Sequence, residues 1–310
     1  MRLTVLSALA AAVLVTGCDM GQFTVNTTAK VLIRAQPSLK MEADYELAAR
    51  AIPGTLKTVE GFWVVHPSNP ILLGILTEGY CQYGIGFVED EWEEATRNKD
   101  FDLAQYHSTR ATKMFVRCLN YALKQLGSRW QEDLFADGEG AAERAAARIA
   151  SAGSGQRTPL MWAAIALGAA VNQNKDNIEM VQYAGTAKAM LLKVVELDGK
   201  RPPKDPVLAA MPHVALGLVY TAVSPALGGD PKKAEEHFQT ALKLTDERFL
   251  LARVHYARRV GVATQNRQLF REHLLKVLQT DPAIWPEQRL ANEIAHRRAR
   301  RYLKMEKELF

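Results

Sequence analysis

The sequence predicts an all-α fold, and three observations carry that prediction. Apolar residues recur at helical spacing along most of the chain. No run alternates apolar and polar residues across a tight hairpin turn. Clusters of Gly, Pro, Asn and Asp cut the chain into helix-length pieces. Ile52, Leu56, Val59 and Trp63 fall at i, i+4, i+7 and i+11 and so form one stripe. Leu250, Val254, Ala257 and Gly261 repeat that spacing, and Phe270, Leu274 and Val277 follow it. With 48% hydrophobic residues among 310, the chain has ample material for a continuous core.

In chain order, residues 1–17 read as a signal peptide. Arg2 supplies the positive start, and Leu3 to Val15 is an apolar stretch too short to span a membrane and stop there. Cys18 closes the run Leu14-Val15-Thr16-Gly17-Cys18, the acceptor pattern of bacterial lipoproteins. The expected mature chain begins at an acylated Cys18 and is held to a membrane through it. Asp19 gives a weak lean toward the inner membrane. Residues 18–41, with Gly21, Asn26, Thr27, Thr28, Pro37 and Ser38, read as a lipidated tether and lead-in, and 42–310 as a single helical domain.

Within that domain, Pro67-Ser68-Asn69-Pro70 separates a helix ending near Val65 from one starting near Ile71. The latter runs to Glu89 and contains Gly74, Gly79, Gly84 and Gly86, each costing about 1 kcal/mol against alanine. Four interior glycines point to a close approach, by another helix first and by a ligand second. Ser128 to Arg157 is the least regular stretch, with an Ala-rich amphipathic helix in its middle, Glu139 to Ala150. A very apolar helix, Ala163 to Val171, runs into Asn172-Gln173-Asn174-Lys175-Asp176-Asn177, where Asp176 is a candidate N-cap. Asp198-Gly199 with Pro202, Pro203 and Pro206 makes a longer break, and Gly228-Gly229-Asp230-Pro231 starts a helix with Asp230 as N-cap. Asp281-Pro282 ends another, and Pro286 opens the last. Helical hairpins at this rhythm, with Ala222 opposite Ala234, Phe238 and Ala241, suggest degenerate tetratricopeptide-like repeats stacked as one unit.

The order of several segments resembles one family. They are Ala51-Ile-Pro-Gly-Thr-Leu-Lys-Thr-Val-Glu60, Leu76-Thr-Glu-Gly-Tyr-Cys-Gln-Tyr83, Leu160-Met-Trp-Ala-Ala-Ile-Ala-Leu-Gly-Ala-Ala170 with Asn174-Lys-Asp-Asn177, Leu227-Gly-Gly-Asp-Pro-Lys-Lys-Ala234, and Arg289-Leu-Ala-Asn-Glu-Ile-Ala-His-Arg-Arg-Ala-Arg300. In sequence over nearly the whole mature chain they resemble the T component of tetratricopeptide-protein-associated TRAP transporters. The resemblance implies a periplasm-facing lipoprotein that works beside a TRAP-type substrate-binding protein. It further implies a homo-oligomer, a trimer with a central channel, and a hydrophobic or organic-acid-like ligand. Pro225 departs from an unbroken repeat and bears on the local hairpin angle.

The chemistry-bearing residues fit a binding protein better than an enzyme. Seven histidines lie on separate segments, and neither a zinc motif nor a nucleophile elbow is present. No metal or cofactor is expected. The formal charge of +5, lowered to +4 when Arg2 leaves with the signal, is too small to imply a nucleic-acid partner. Trp162 with Asn174, Lys175 and Asp176 forms the first candidate ligand cleft, offering an aromatic wall and a cation, and Tyr80 and Tyr83 form the second. Glu89-Asp90-Glu91-Trp92-Glu93-Glu94 reads as an acidic turn, solvated or used for docking. The basic last helix, with Arg289, Arg297, Arg298, Arg300, Arg301, Lys304 and Lys307, reads as a solvated face or a contact for anionic lipid. Cys81 and Cys118 read as small buried hydrophobes, with a single bridge as the minority alternative. These readings converge on a non-enzymatic accessory subunit of a TRAP-type uptake system. A scaffold lipoprotein for cell-envelope assembly is the alternative.

Overall fold

The computed structural model describes residues 20–310, and Cys18 and the signal segment lie outside them. Among the described residues every regular element is helical. The first half comprises α1 (Met20–Lys40), α2 (Tyr45–Val65), α3 (Pro70–Tyr83), α4 (Glu89–Arg97), α5 (Phe101–Leu126), α6 (Ser128–Leu134), α7 (Ala141–Ala150) and α8 (Arg157–Gln173). There follow α9 (Ile178–Val181), α10 (Ala184–Lys200), α11 (Pro206–Tyr220), α12 (Pro231–Leu244), α13 (Leu250–Tyr256), α14 (Arg267–Gln279), α15 (Arg289–Lys304) and α16 (Glu306–Leu309). Packing proceeds largely between near neighbours: α3 on α5, α5 on α8, α8 on α10, α10 on α11, α11 on α12, and α13 and α14 on α15.

Local chemistry sets the ends. Asp44, Asn69, Asp205 and Asp230 cap α2, α3, α11 and α12 with side-chain oxygens that accept from backbone N–H groups of the first turn. Pro70, Pro206 and Pro231 occupy first-turn positions, where no N–H is needed. After α8 the cap falls one residue later than the sequence suggests: Asn177, not Asp176, accepts from the N–H groups of Glu179 and Met180. The segment expected as a lead-in is also more ordered than its polar composition implies. Residues 20–40 form a helix because Val25 and Ala29 fall on its inner side and join the core. At the α11–α12 hairpin the close approach is made by Gly217, where a Cβ would sit 2.6 Å from the Phe238 ring, while Ala222 lies past the end of α11. Ala234, Phe238 and Ala241 are fully buried.

The central helix does not stop at Glu89. It continues to Arg97 through a π-helical turn, Gly84–Val88. A built Cβ on Gly84 would lie 2.7 Å from the Phe115 ring, and one on Gly86 would lie 3.0 Å from Ile294, so both glycines permit close helix packing. By length and composition Pro70–Arg97 could cross a membrane, yet 67% of its apolar window is buried inside the protein, as befits a core helix. Cys81 on α3 and Cys118 on α5 are buried, as expected, and are bridged, so the minority alternative holds. Their Cα atoms stand 5.3 Å apart because α3 and α5 pack side by side there.

A second correction joins the two charged segments. Glu89–Arg97 is helix rather than acidic turn, and its Asp90 is completely buried. The Asp90 carboxylate accepts from Arg297 Nε at 2.8 Å and Arg301 Nη2 at 2.6 Å, with Arg298 Nε at 3.3 Å. Glu93 accepts from the Tyr302 hydroxyl at 2.8 Å and pairs with Arg301, and Arg298 also donates to the Ile85 carbonyl. Asp90, Glu93 and Glu94 of the acidic run therefore pair with Arg297, Arg298 and Arg301 of the basic helix, while Arg300, Lys304 and Lys307 keep the exposed face that the sequence suggests. Burial alone would raise the Asp90 carboxyl, but the Arg298 guanidinium and the hydrogen bonds from Arg301 and Arg297 outweigh it and hold it at about 2.

Candidate functional site

Between α1, α2, α3, α8, α11, α13 and α15 the packing leaves a cavity of about 390 Å³. Each wall follows from a stripe in the sequence. Ile52, Leu56 and Val59 supply the α2 side, Ile75, Gly79 and Tyr83 the α3 side, and Met211, Val214 and Leu218 the α11 side. Leu290 and Ile294 enter from α15, and Leu32 and Leu39 from α1. Aliphatic side chains interdigitate to native density unless the backbones are held apart. Here the backbones stand far enough apart to leave space for a small apolar molecule.

The wall reaches solvent at Ala35, Ser38 and Gln82. Lys40 and Glu78, which also line it, form an ion pair at 2.7 Å, tying α1 to α3 across that side. Among the apolar walls stands one imidazole, His255 on α13. Burial, then the Arg298 and Arg259 guanidinium groups, push it well below its ordinary value, so it is neutral at pH 7 and offers one donor and one acceptor. Beside the clasp, burial raises the Glu89 carboxyl against the opposing pull of Arg298, and Gln173 Nε2 donates to it at 3.1 Å.

The structure separates the residues singled out from sequence. Trp162 and Tyr83 line the cavity, although both are almost entirely buried. The Trp162 carbonyl lies 3.9 Å from each sulfur of the Cys81–Cys118 bridge, so the covalent link fixes the backbone that carries this wall. Tyr80 faces elsewhere, stacked on Tyr121 with ring centres 6.0 Å apart and with Arg117 over its ring at 5.4 Å. Asn174 secures its own turn, donating to Thr112 Oγ1 at 2.9 Å and the Ala170 carbonyl at 2.7 Å. Lys175 and Asp176 are exposed and line no part of the cavity. His255 escaped the sequence reading. Its one available signal is the i, i+4 spacing from Leu251, which places it on the cavity-facing side of α13.

The cavity is mostly apolar and of a size for a small molecule, and among the described residues no group of three or more His, Cys, Asp or Glu side chains could hold a metal ion. Residues 41–310 match the TRAP transporter T-component family, and the chain belongs to that family. A comparison with curated proteins finds no match. The family is a transporter component, not an enzyme class, and membership sets the chain in a membrane-associated transport system.

Proposed function

We propose that this chain is the lipid-anchored, periplasm-facing accessory subunit of a TRAP-type uptake system, and that it docks the substrate-binding protein and holds that protein's ligand in its apolar cavity. The observation that carries the reading is the cavity itself, enclosed by seven helices in a chain of the T-component family. Trp162 and Tyr83 form the aromatic part of the ligand wall, and His255 is the polar group that orients the ligand. Asn174, Lys175, Asp176 and Tyr80 shape the scaffold outside it. Cys18 provides the anchor, and a trimer is the oligomer through which ligand passes.

The test is a mild-detergent pull-down of the tagged protein from native membranes, followed by mass spectrometry of both proteins and extracted small molecules. A TRAP-type substrate-binding protein together with a co-purifying apolar molecule supports the reading. Envelope-assembly proteins with no transport component would replace it with the scaffold alternative.

A further inference from the structure

α1 presents a second apolar face, opposite the one that closes the cavity, and among the described residues that face stays exposed. At 3.6 residues per turn, Met20, Phe23, Thr27 and Val31 share one side of α1, with Lys30 and Arg34 along one edge of it. Met20, Phe23 and Val31 are 69%, 64% and 62% exposed, whereas Val25 and Ala29 on the other side are buried. α1 contains no Asp or Glu. Its Lys40 pairs with Glu78, while Lys30 and Arg34 enter no ion pair among the described residues. The hydroxyls on this side are already satisfied: Thr24 and Thr27 donate to the carbonyls of Met20 and Phe23 at 2.8 Å and 3.2 Å. Large apolar side chains beside two cations that enter no ion pair, with hydroxyls turned back on the helix, form a face suited to the boundary between acyl chains and anionic headgroups.

Chain length selects that occupant over another protein. Only Asp19 separates Cys18 from Met20, and two residue steps span at most about 7 Å. If Cys18 carries the acyl chains, the first turn of α1 is held in the headgroup layer by its attachment. We propose that the outer face of α1 lies on the membrane leaflet that holds the Cys18 lipid, with Met20, Phe23 and Val31 dipping into it and Lys30 and Arg34 on anionic phospholipid headgroups. This rests on the lipoprotein reading of Cys18. It replaces a loose tether with a rigid dock, and it places the cavity wall formed by Leu32 and Leu39 directly above the bilayer.

The experiment uses the full acylated chain reconstituted in phosphatidylcholine vesicles with and without phosphatidylglycerol. A Thr27→Cys variant is labelled with an environment-sensitive fluorophore, which reacts there alone because Cys81 and Cys118 are bridged and Cys18 is a thioether. The expected result is quenching by shallow spin-labelled lipid and several-fold protection from iodide, stronger with phosphatidylglycerol. In a Lys30→Glu, Arg34→Glu background both effects should fall several-fold while the protein stays in the membrane pellet. An acylated, pelleted protein whose label is open to iodide overturns the docking and leaves the anchor intact. Protection that ignores headgroup charge and accompanies cross-linked dimers overturns it in favour of a second copy. An unmodified Cys18 by intact mass, with the chain in the soluble fraction, removes the anchor and the docking together.

Discussion

The cavity and the charged clasp lie side by side, sharing Ile85 and helix α15, yet they are built on opposite rules. Around the cavity, mostly aliphatic and aromatic side chains from seven helices face one another, with His255 as the imidazole among them and polar groups such as Lys40 and Glu78 toward α1. Around Asp90, three guanidinium groups and two carboxylates pack together, and Arg298 is among the largest fully buried side chains in the molecule. Dispersion attraction gives an apolar wall no means to hold itself open, because every void forfeits contacts. A buried ion network resists closure, since each charge must keep its partner. The polar cluster props its apolar neighbour: Arg298 grips the Ile85 carbonyl in the π-helical turn, and Ile294 one turn earlier on α15 lines the cavity.

Breaking the clasp should therefore cost most. Asp90→Asn removes the one carboxylate shared by three buried or half-buried arginines, leaving Arg298 without its ion pair, and should destabilise the fold by about 3–5 kcal/mol in urea titrations. Stability equal to wild type would mean that the arginines find water or Glu93 and Glu94 instead. The same pair predicts the acid limb. The Asp90 carboxyl is lowered from 3.8 to about 2, so its stabilisation is complete above pH 3.8 and is lost as pH falls toward about 2.

Removing the covalent brace is the next test. The Cys81–Cys118 bridge closes a separation of 37 residues, for which the chain-entropy relation gives about 4 kcal/mol. A Cys81→Ala, Cys118→Ala variant should melt at lower temperature than the oxidised protein, with the largest change in solvent protection around Trp162 by hydrogen exchange.

The cavity can be filled rather than dismantled. Ala291, on α15, borders the void, and Ala291→Phe should occupy it with little change in melting temperature. Binding of an apolar fluorescent probe should weaken by about tenfold, a difference of about 1.4 kcal/mol. Unchanged probe affinity would place the binding surface elsewhere.

The mildest effect belongs to His255. Its folded value lies well below 6.5, so the unfolded chain takes up the proton first. Stability is then full above pH 6.5 and declines below it, with a slope approaching about 1.4 kcal/mol per pH unit. His213, lowered to about 4 by burial and by His237, adds a slope of the same sign. His255→Gln should flatten the decline without removing it, as read from melting temperatures across that range.

Helix class and many helix ends were legible in the sequence, because capping and apolar periodicity are local: Asp230-Pro231 announces its helix without any tertiary help. The clasp was not. Asp90 and Arg297 lie 207 positions apart, and an isolated run of like charge reads as solvated until its complement is found. The disulfide needed the α3–α5 register, which two cysteines alone do not specify. Trp162 and Tyr83 stood out as aromatics, but whether an apolar stripe borders filled or empty space depends on the spacing of the backbones behind it, and no single helix encodes that.

That 207-residue span also orders the making of the molecule. A polypeptide emerges from its N-terminus, so α4 must wait, with Asp90 ionised and hydrated, until nearly all of the chain has appeared. The last long helix thus acts as a keystone: without Arg297, Arg298 and Arg301 in place, burying Asp90 carries the full cost of desolvating a lone carboxylate, so closing α4 into the core is tied to the docking of α15.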